Sequence, residues 1–224
     1  MNEKLLDAAG AGNFAKLQSL LAKGASPNVA DEYGYTPLIL ASSEGRTEMV
    51  HILLQNGADA NARSESSWTA LLWAASMGYP EIVRLLIDYG ANLEARDQYG
   101  ATSLMKACRR GHLEVTKLLV EKGADVNVRD EYGWTPLMRT ARRGFVPILK
   151  ILLNGGADLE AKDQYGATAL IISASEFHTD VVQILLDNGA DPNASDRNGW
   201  TALMWASSMG YQSVVKLIQD HSSR

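Results

Sequence analysis

Between residues 36 and 57 the chain alternates apolar and polar positions in two short helical rhythms, separated by a glycine. "PLILASSEG" is apolar along most of its length, and "TEMVHILLQNG" carries Met49, Ile52 and Leu53 at three- and four-residue spacing. The pattern predicts two short helices. Gly45 permits the reversal between them, and Gly57 stands where a left-handed C-cap ends the second. The preceding "DEYGYTPL" has turn chemistry, because Gly34 supplies the positive φ of a tight bend.

The same pattern returns at a fixed interval. Threonine occurs at 36, 69, 102, 135, 168 and 201, each 33 residues after the last. Leu38, Leu71, Leu104, Leu137, Leu170 and Leu203 follow two residues behind, and Gly-Ala pairs begin at 24, 57, 90, 123, 156 and 189. No insertion breaks the register. Two short helices and a hairpin cannot bury their apolar faces alone, so the units must stack on their neighbours. The expected fold is an all-α repeat solenoid of helix–turn–helix units joined by hairpin loops.

These residues carry a family resemblance. "DEYGWTPLMRTARRG" and "GHLEVTKLLVEKGADVNVRD", with their copies, resemble ankyrin repeats over essentially the whole chain. The resemblance implies hairpin–helix–helix units, β-hairpin loops, and a concave face lined by hairpin tips and first helices. It implies one repeat domain over 1–224, seven units with the caps: an N-terminal cap at 1–30, five full repeats at 31–195 and a C-terminal cap at 196–224. Gln219 and Asp220, polar where inner units are apolar or end in Gly-Ala, support the last cap. Some positions depart from the family pattern. Its histidine after Thr-Pro-Leu is replaced by Ile39, Leu72, Met105, Met138, Ile171 and Met204. Ser64 and Ser67 stand for the turn Asp and Gly of the third unit and predict a distorted or mobile hairpin. Phe177 replaces an interhelix glycine and puts that bend in question.

Composition excludes several classes. The chain has 224 residues, a formal charge of −5 and one cysteine, Cys108. No apolar run approaches the ~20 residues of a membrane-spanning helix. The N-terminus lacks the apolar stretch of a signal peptide. A lone cysteine cannot make an internal disulfide and fits a reducing compartment, so the expectation is a cytoplasmic monomer. His51, His112, His178 and His221 form no i, i+4 metal pair, and no phosphate-binding glycine motif occurs. "DNGADPNASDRNG" lacks the closing glutamate of a calcium loop and is an ordinary repeat junction. Asp97, Asp130, Asp163 and Asp196 begin hairpins and are turn residues first. Neither a catalytic constellation nor a cofactor site emerges, so the chain is not expected to be an enzyme.

What remains is the surface. Opposite the small core residues of each first helix runs a stripe of three positions: Leu40/Ser43/Glu44, Trp73/Ser76/Met77, Lys106/Arg109/Arg110, Arg139/Arg142/Arg143, Ile172/Ser175/Glu176 and Trp205/Ser208/Met209. The first member of each trio is expected to pack partly on neighbours, the other two to face outwards. Six cations therefore fall in two adjacent units of an acidic chain. Residues 1–96 carry a net −4, residues 97–162 a net +3 and residues 163–224 a net −4. The arginine pairs are not demanded by the repeat, since other units hold Ser-Glu or Ser-Met there. Hairpin positions add Tyr33, Tyr35, Trp68, Tyr99, Tyr132, Trp134, Tyr165 and Trp200. Tyr, Trp, Met and Arg are the residues enriched in interface cores.

The leading expectation is a non-catalytic interaction module for an acidic partner segment with apolar anchors. Its candidate contacts are Arg109, Arg110, Arg142, Arg143, Lys106, Arg139, Tyr99, Tyr132, Trp134, Tyr165, Trp68, Trp73, Met77 and Trp200. A second reading gives the same cations a nucleic-acid or phosphorylated ligand, with stacking on Tyr99, Tyr132 and Trp134. The acidic flanks oppose a long polyanion. Unbroken spacing also suits an engineered repeat scaffold, whereas the variable framework positions favour a natural chain.

Overall fold

The computed structural model describes residues 2–222. Among them are fourteen α-helices and no strand, which places the protein in the all-α repeat-solenoid class. Two compact units, residues 1–107 and 108–224, divide the chain. The first holds α1 (Asn2–Gly10), α2 (Phe14–Ala22), α3 (Pro37–Ser43), α4 (Thr47–Gln55), α5 (Ala70–Met77) and α6 (Pro80–Asp88), with the start of α7 (Ser103–Arg110). The second holds the end of α7, then α8 (Leu113–Glu121), α9 (Pro136–Ala141), α10 (Val146–Asn154), α11 (Ala169–Ser175), α12 (Thr179–Asp187), α13 (Ala202–Ser208) and α14 (Gln212–Ser222).

The recurring threonine starts the first helix of the repeat. Thr36, Thr69, Thr135, Thr168 and Thr201 are extended N-caps whose hydroxyls accept the backbone N–H three residues on, at 3.2–3.4 Å. Pro37 and Pro136 follow at N1, where a missing N–H costs nothing. Thr102 differs: its Oγ1 and the Oγ of Ser103 are buried without a hydrogen-bond partner. The leucine two residues behind each threonine is buried, from Leu38 to Leu170.

Helices of six to eleven residues are too short to persist alone, so neighbouring pairs support them. In residues 1–107, α3 packs on α1 and α5, and α4 on α2 and α6. In residues 108–224, α11 packs on α9 and α13, and α10 and α14 both meet α12. Polar links tie successive units at a constant offset. Asn28 donates to the Gly57 carbonyl and accepts from Asp59 N–H; Asn61 does the same with Gly90 and Asn92, and Asn127 with Gly156 and Asp158. Glu160 keeps only the acceptor half, taking the Asp191 N–H at 2.8 Å.

In several units a ring after the interhelix turn covers the turn glycine of the preceding unit, and at Gly12 the Arg46 guanidinium does so. A Cβ on Gly45 would lie 2.8 Å from the Tyr79 ring, and one on Gly144 2.6 Å from His178. Glycine is needed there for space as much as for φ. Phe177 is the exception, and it keeps the bend by adopting φ 62° while its ring stacks on Tyr211 at 4.8 Å.

The hairpins also hold their shape throughout. Each is closed by a backbone bond from its first residue to the fifth, for instance Asp130 N–H to the Trp134 carbonyl at 3.1 Å, and by a turn bond from the fourth residue to the first, as Gly133 N–H to the Asp130 carbonyl at 2.9 Å. Such bonds make a turn and not a ladder. Among the described residues only Ser195 and Thr201 form a β-bridge, so the expected β-hairpins are tight turns. The Ser64 hairpin is not distorted: Ser64 N–H reaches the Trp68 carbonyl at 2.9 Å, and Ser67 takes the glycine's place at φ 63°.

A non-glycine residue at such a φ costs on the order of 1 kcal/mol. Ser67→Gly should therefore raise stability by about 1 kcal/mol, less the greater chain entropy of glycine. A shift of the urea midpoint at unchanged slope is the measurement; a lower midpoint would refute the strain.

Candidate interaction surface

The hairpin aspartate organises each unit's outer side. Its Oδ1 accepts two backbone N–H groups, two and four residues on: Tyr99 and Ala101 for Asp97, Tyr132 and Trp134 for Asp130, Tyr165 and Ala167 for Asp163, all at 2.8–3.0 Å. The other oxygen is free to take a side-chain donor. Nine residues later the first helix delivers one: Lys106 to Asp97, Arg139 to Asp130, and the indole N–H of Trp205 to Asp196 at 3.0 Å. Asp97 and Asp130 are buried, and an unpaired buried carboxylate is expensive. Burial pushes the Asp196 carboxyl up, but the Trp200 N–H, the Trp205 indole and the Asn198 N–H together hold it below its ordinary range.

Ser64 breaks this arrangement. Its single oxygen accepts the Trp68 N–H at 3.2 Å and cannot also serve residue 73. Trp73 stands nine residues on, and its buried indole N–H has no partner.

The first stripe positions thus lie inward. Lys106 is buried, paired with Asp97, and its ammonium lies 4.5 Å from the Trp68 ring centre. Trp68 in turn stacks on Trp73 at 4.3 Å. Arg139 is half-buried, paired with Asp130, and stands 5.0 Å from the Trp134 ring. In the two basic units the second and third positions lie outward, Arg109, Arg110, Arg142 and Arg143 all being exposed, whereas Ser76 of the third unit is buried, against the expectation that it faces outward. Arg142 lies 5.5 Å from the Trp134 ring and 3.3 Å from Glu176 of the next unit. Glu176 thereby offsets part of the positive charge, where the two basic stripes themselves offer no acid.

Of the aromatic candidates, Tyr99, Tyr132 and Tyr165 are exposed, Tyr165 most at 65%. Trp200 is exposed and stacked on Trp205 at 5.1 Å, Met77 is exposed, and Trp134 is half-buried between cations. In residues 1–107 the structure gathers Trp68, Trp73 and Lys106 around Asp97. In residues 108–224 it gathers Trp134, Arg139 and Arg142 between Asp130 and Glu176.

The chemistry available elsewhere is small. Cys108 is buried, and burial pushes its thiol from 9.0 up to about 12, against weaker help from Thr140 and Thr116. It is a protonated core filler, as its small counterparts Ala75 and Ala141 suggest. The His178 ring bonds the Arg142 carbonyl at 3.0 Å. Among the described residues no cluster of three or more His, Cys, Asp or Glu could hold a metal ion, and no helix is long and apolar enough to cross a membrane.

Hairpin, short helix, turn and second helix, repeated at 33 residues, define a helical-repeat protein built for surface contact. The family model for ankyrin repeats in three copies matches residues 5–97, 92–163 and 137–223, and the chain belongs to that family. Ankyrin repeats generally mediate protein–protein interaction. Comparison with curated proteins gave no match.

The stripe expects Lys106 and Arg139 to pack partly on neighbours and also counts them among the candidate contacts; the aspartates that hold them lie outside it. The signal of that pairing is the co-occurrence of Asp with Lys, Arg or Trp nine residues later. Lys106→Met should cost about 3 kcal/mol by stranding the Asp97 carboxylate. Adding Asp97→Asn, which keeps the Oδ1 turn bonds, should recover more than half of that in denaturant titrations. Ser64→Asp should supply the Trp73 indole with an acceptor and stabilise by about 1 kcal/mol. An unchanged unfolding midpoint would show that the indole needs no acceptor.

Proposed function

We propose that this protein is a non-catalytic interaction module that binds an extended acidic segment with apolar anchors, across the side carrying hairpin tips and first helices. The observation that carries this reading is the setting of Arg142. Its guanidinium is exposed, lies beside Trp134 and already takes a carboxylate, that of Glu176, in a half-exposed pair. Exposed pairs contribute only about 0–1 kcal/mol, so a partner carboxylate can replace Glu176 at little cost. Arg143 stands next to it, and Arg109 and Arg110 offer the same exposed pair at the end of α7.

Guanidinium groups favour carboxylates because their forked donors match both oxygens. Stacked helices lie about 10 Å apart and an extended peptide advances about 3.3 Å per residue. Acidic residues at about every third position therefore match successive units. Exposed Trp200, Met204 and Met209 in residues 196–224, and Met77 in residues 1–107, are the apolar counterparts for the anchors. Cys108 is held protonated by burial and the hairpin aspartates are engaged in their turns, so these groups serve the framework.

Charge reversal of Arg109, Arg110, Arg142 and Arg143 together should weaken capture of acidic peptides at least tenfold and flatten the salt dependence. Single-stranded DNA and RNA serve as comparison ligands in the same titration. Peptide affinity that survives the fourfold reversal would refute the arginine surface; tighter, equally salt-sensitive binding of the nucleic acids would replace a protein partner with a nucleic acid.

A further inference from the structure

Among the buried hairpin aspartates, Asp163 stands apart. It is 7% exposed, as buried as Asp97 and Asp130. Its Oδ1 is spent on the N–H groups of Tyr165 and Ala167 at 2.8 and 2.9 Å. The residue nine positions on is Ile172, which has no donor to give. No described side chain supplies Oδ2 with a hydrogen bond or an ion pair. Asp31 also lacks a donor at its ninth position, Leu40, but Asp31 is exposed. Asp163 is largely buried, keeps Oδ2 within reach of the surface and receives no cation from its own unit.

The unit beginning at Asp97 shows what fits such a place. There the fifth hairpin residue is the small Ala101, as Ala167 is in the Asp163 unit. An ammonium, that of Lys106, fills the space, bonds the Asp97 carboxylate and lies against the Trp68 ring of the preceding unit. The Asp163 unit repeats the carboxylate and the small fifth residue, and has Trp134 at the position of Trp68. The lysine is replaced by Ile172, itself buried, while Ala169 and Ile171 stand for Ser103 and Met105. The cations already on Trp134 are each matched by an acid, Arg139 by Asp130 and Arg142 by Glu176. They do not draw on Asp163. Beside it, Tyr165 at 65% exposure offers a further ring face for a cation.

We propose that Asp163 is a cation subsite, its Oδ2 taking a lysine or arginine side chain of the bound segment from the surface, as Asp97 takes Lys106 from its own unit. The proposal rests on the interaction function above and sharpens it. The bound segment is acidic where it meets Arg142 and Arg143, and carries one basic residue about three residues further along, one unit's advance. Asp163 then discriminates among acidic segments that the arginines alone would treat alike. A charge-assisted bond to a buried carboxylate is among the strongest single contacts available to such a surface.

The test uses the full chain and two libraries of short synthetic peptides. One library fixes a Glu-Glu pair and randomises the other positions, and the second fixes Ala-Ala instead. Wild-type protein should select Lys or Arg about three residues from the Glu pair, roughly tenfold over norleucine. Asp163→Asn keeps the Oδ1 turn bonds, so it should fold, bind the Glu-Glu library and lose the basic preference. Ile172→Lys should lose it too, because its own ammonium occupies the site. Equal selection of norleucine by wild type, or a basic preference that persists in Asp163→Asn, overturns the subsite. Loss of the difference between the Glu-Glu and Ala-Ala libraries overturns the acidic-partner reading separately. A basic preference that vanishes with Asp163→Asn in both libraries would retain the subsite without that reading. No selection from either library overturns both.

Discussion

Not one helix of this protein can hold itself. With lengths of six to eleven residues they lie below the range in which an isolated helix persists in water. Stability must come from the junctions between one helix pair and the next, and three kinds of contact recur within residues 1–107 and within residues 108–224. Apolar side chains such as Leu71 and Ile82 fill the space between pairs. A ring covers a glycine, as His178 covers Gly144. An asparagine bridges two Gly-turn segments, as Asn61 does. Because the junction supplies the order, the outer residues of the first helix are released from structural duty and can vary from unit to unit.

The hairpin carboxylate links that framework to the binding surface. Placing Asp97, Asp130 and Asp163 out of water makes a tight turn, since one oxygen gathers two N–H groups. It also creates a demand for a donor at the other oxygen. Where the chain meets the demand, a lysine or arginine is drawn inward, and Trp68 or Trp134 packs against it. At Asp163 no donor of the same unit meets the demand, which is what the proposed subsite rests on. Framework electrostatics and partner choice are here one problem.

The repeat, the helix pairs and the threonine caps were legible because each depends on residues three or four apart, the range that periodicity reports. The turn role of the aspartates was legible for the same reason. The outward placement of Arg109, Arg110, Arg142 and Arg143 followed from helical geometry alone. What escaped was pairing across nine residues, where a turn intervenes and the reach of a long side chain decides the outcome. Lys106 and Arg139 were thus grouped with cations whose surroundings differ from theirs. Ser67 and Phe177 escaped for another reason: a substitution at a glycine position signals strain, but neighbouring bonds and the Tyr211 ring decide whether the chain bends anyway. The Arg142–Glu176 pair joins different repeats, beyond any single-unit pattern.

The polar links between units all span nearly one repeat: Asn28 reaches residues 29 and 31 positions on, and Arg63 reaches the carbonyl 33 positions on. Such a chain is modular in its genetics as well as its shape. Duplicating or deleting a whole 33-residue segment keeps the recurring caps and turns in register, whereas inserting one residue within a unit misaligns a whole junction. Copying whole units is therefore the change this protein tolerates best. It is consistent with two adjacent units carrying arginine pairs, and one carrying Ile172 where another has Lys106, on one common framework.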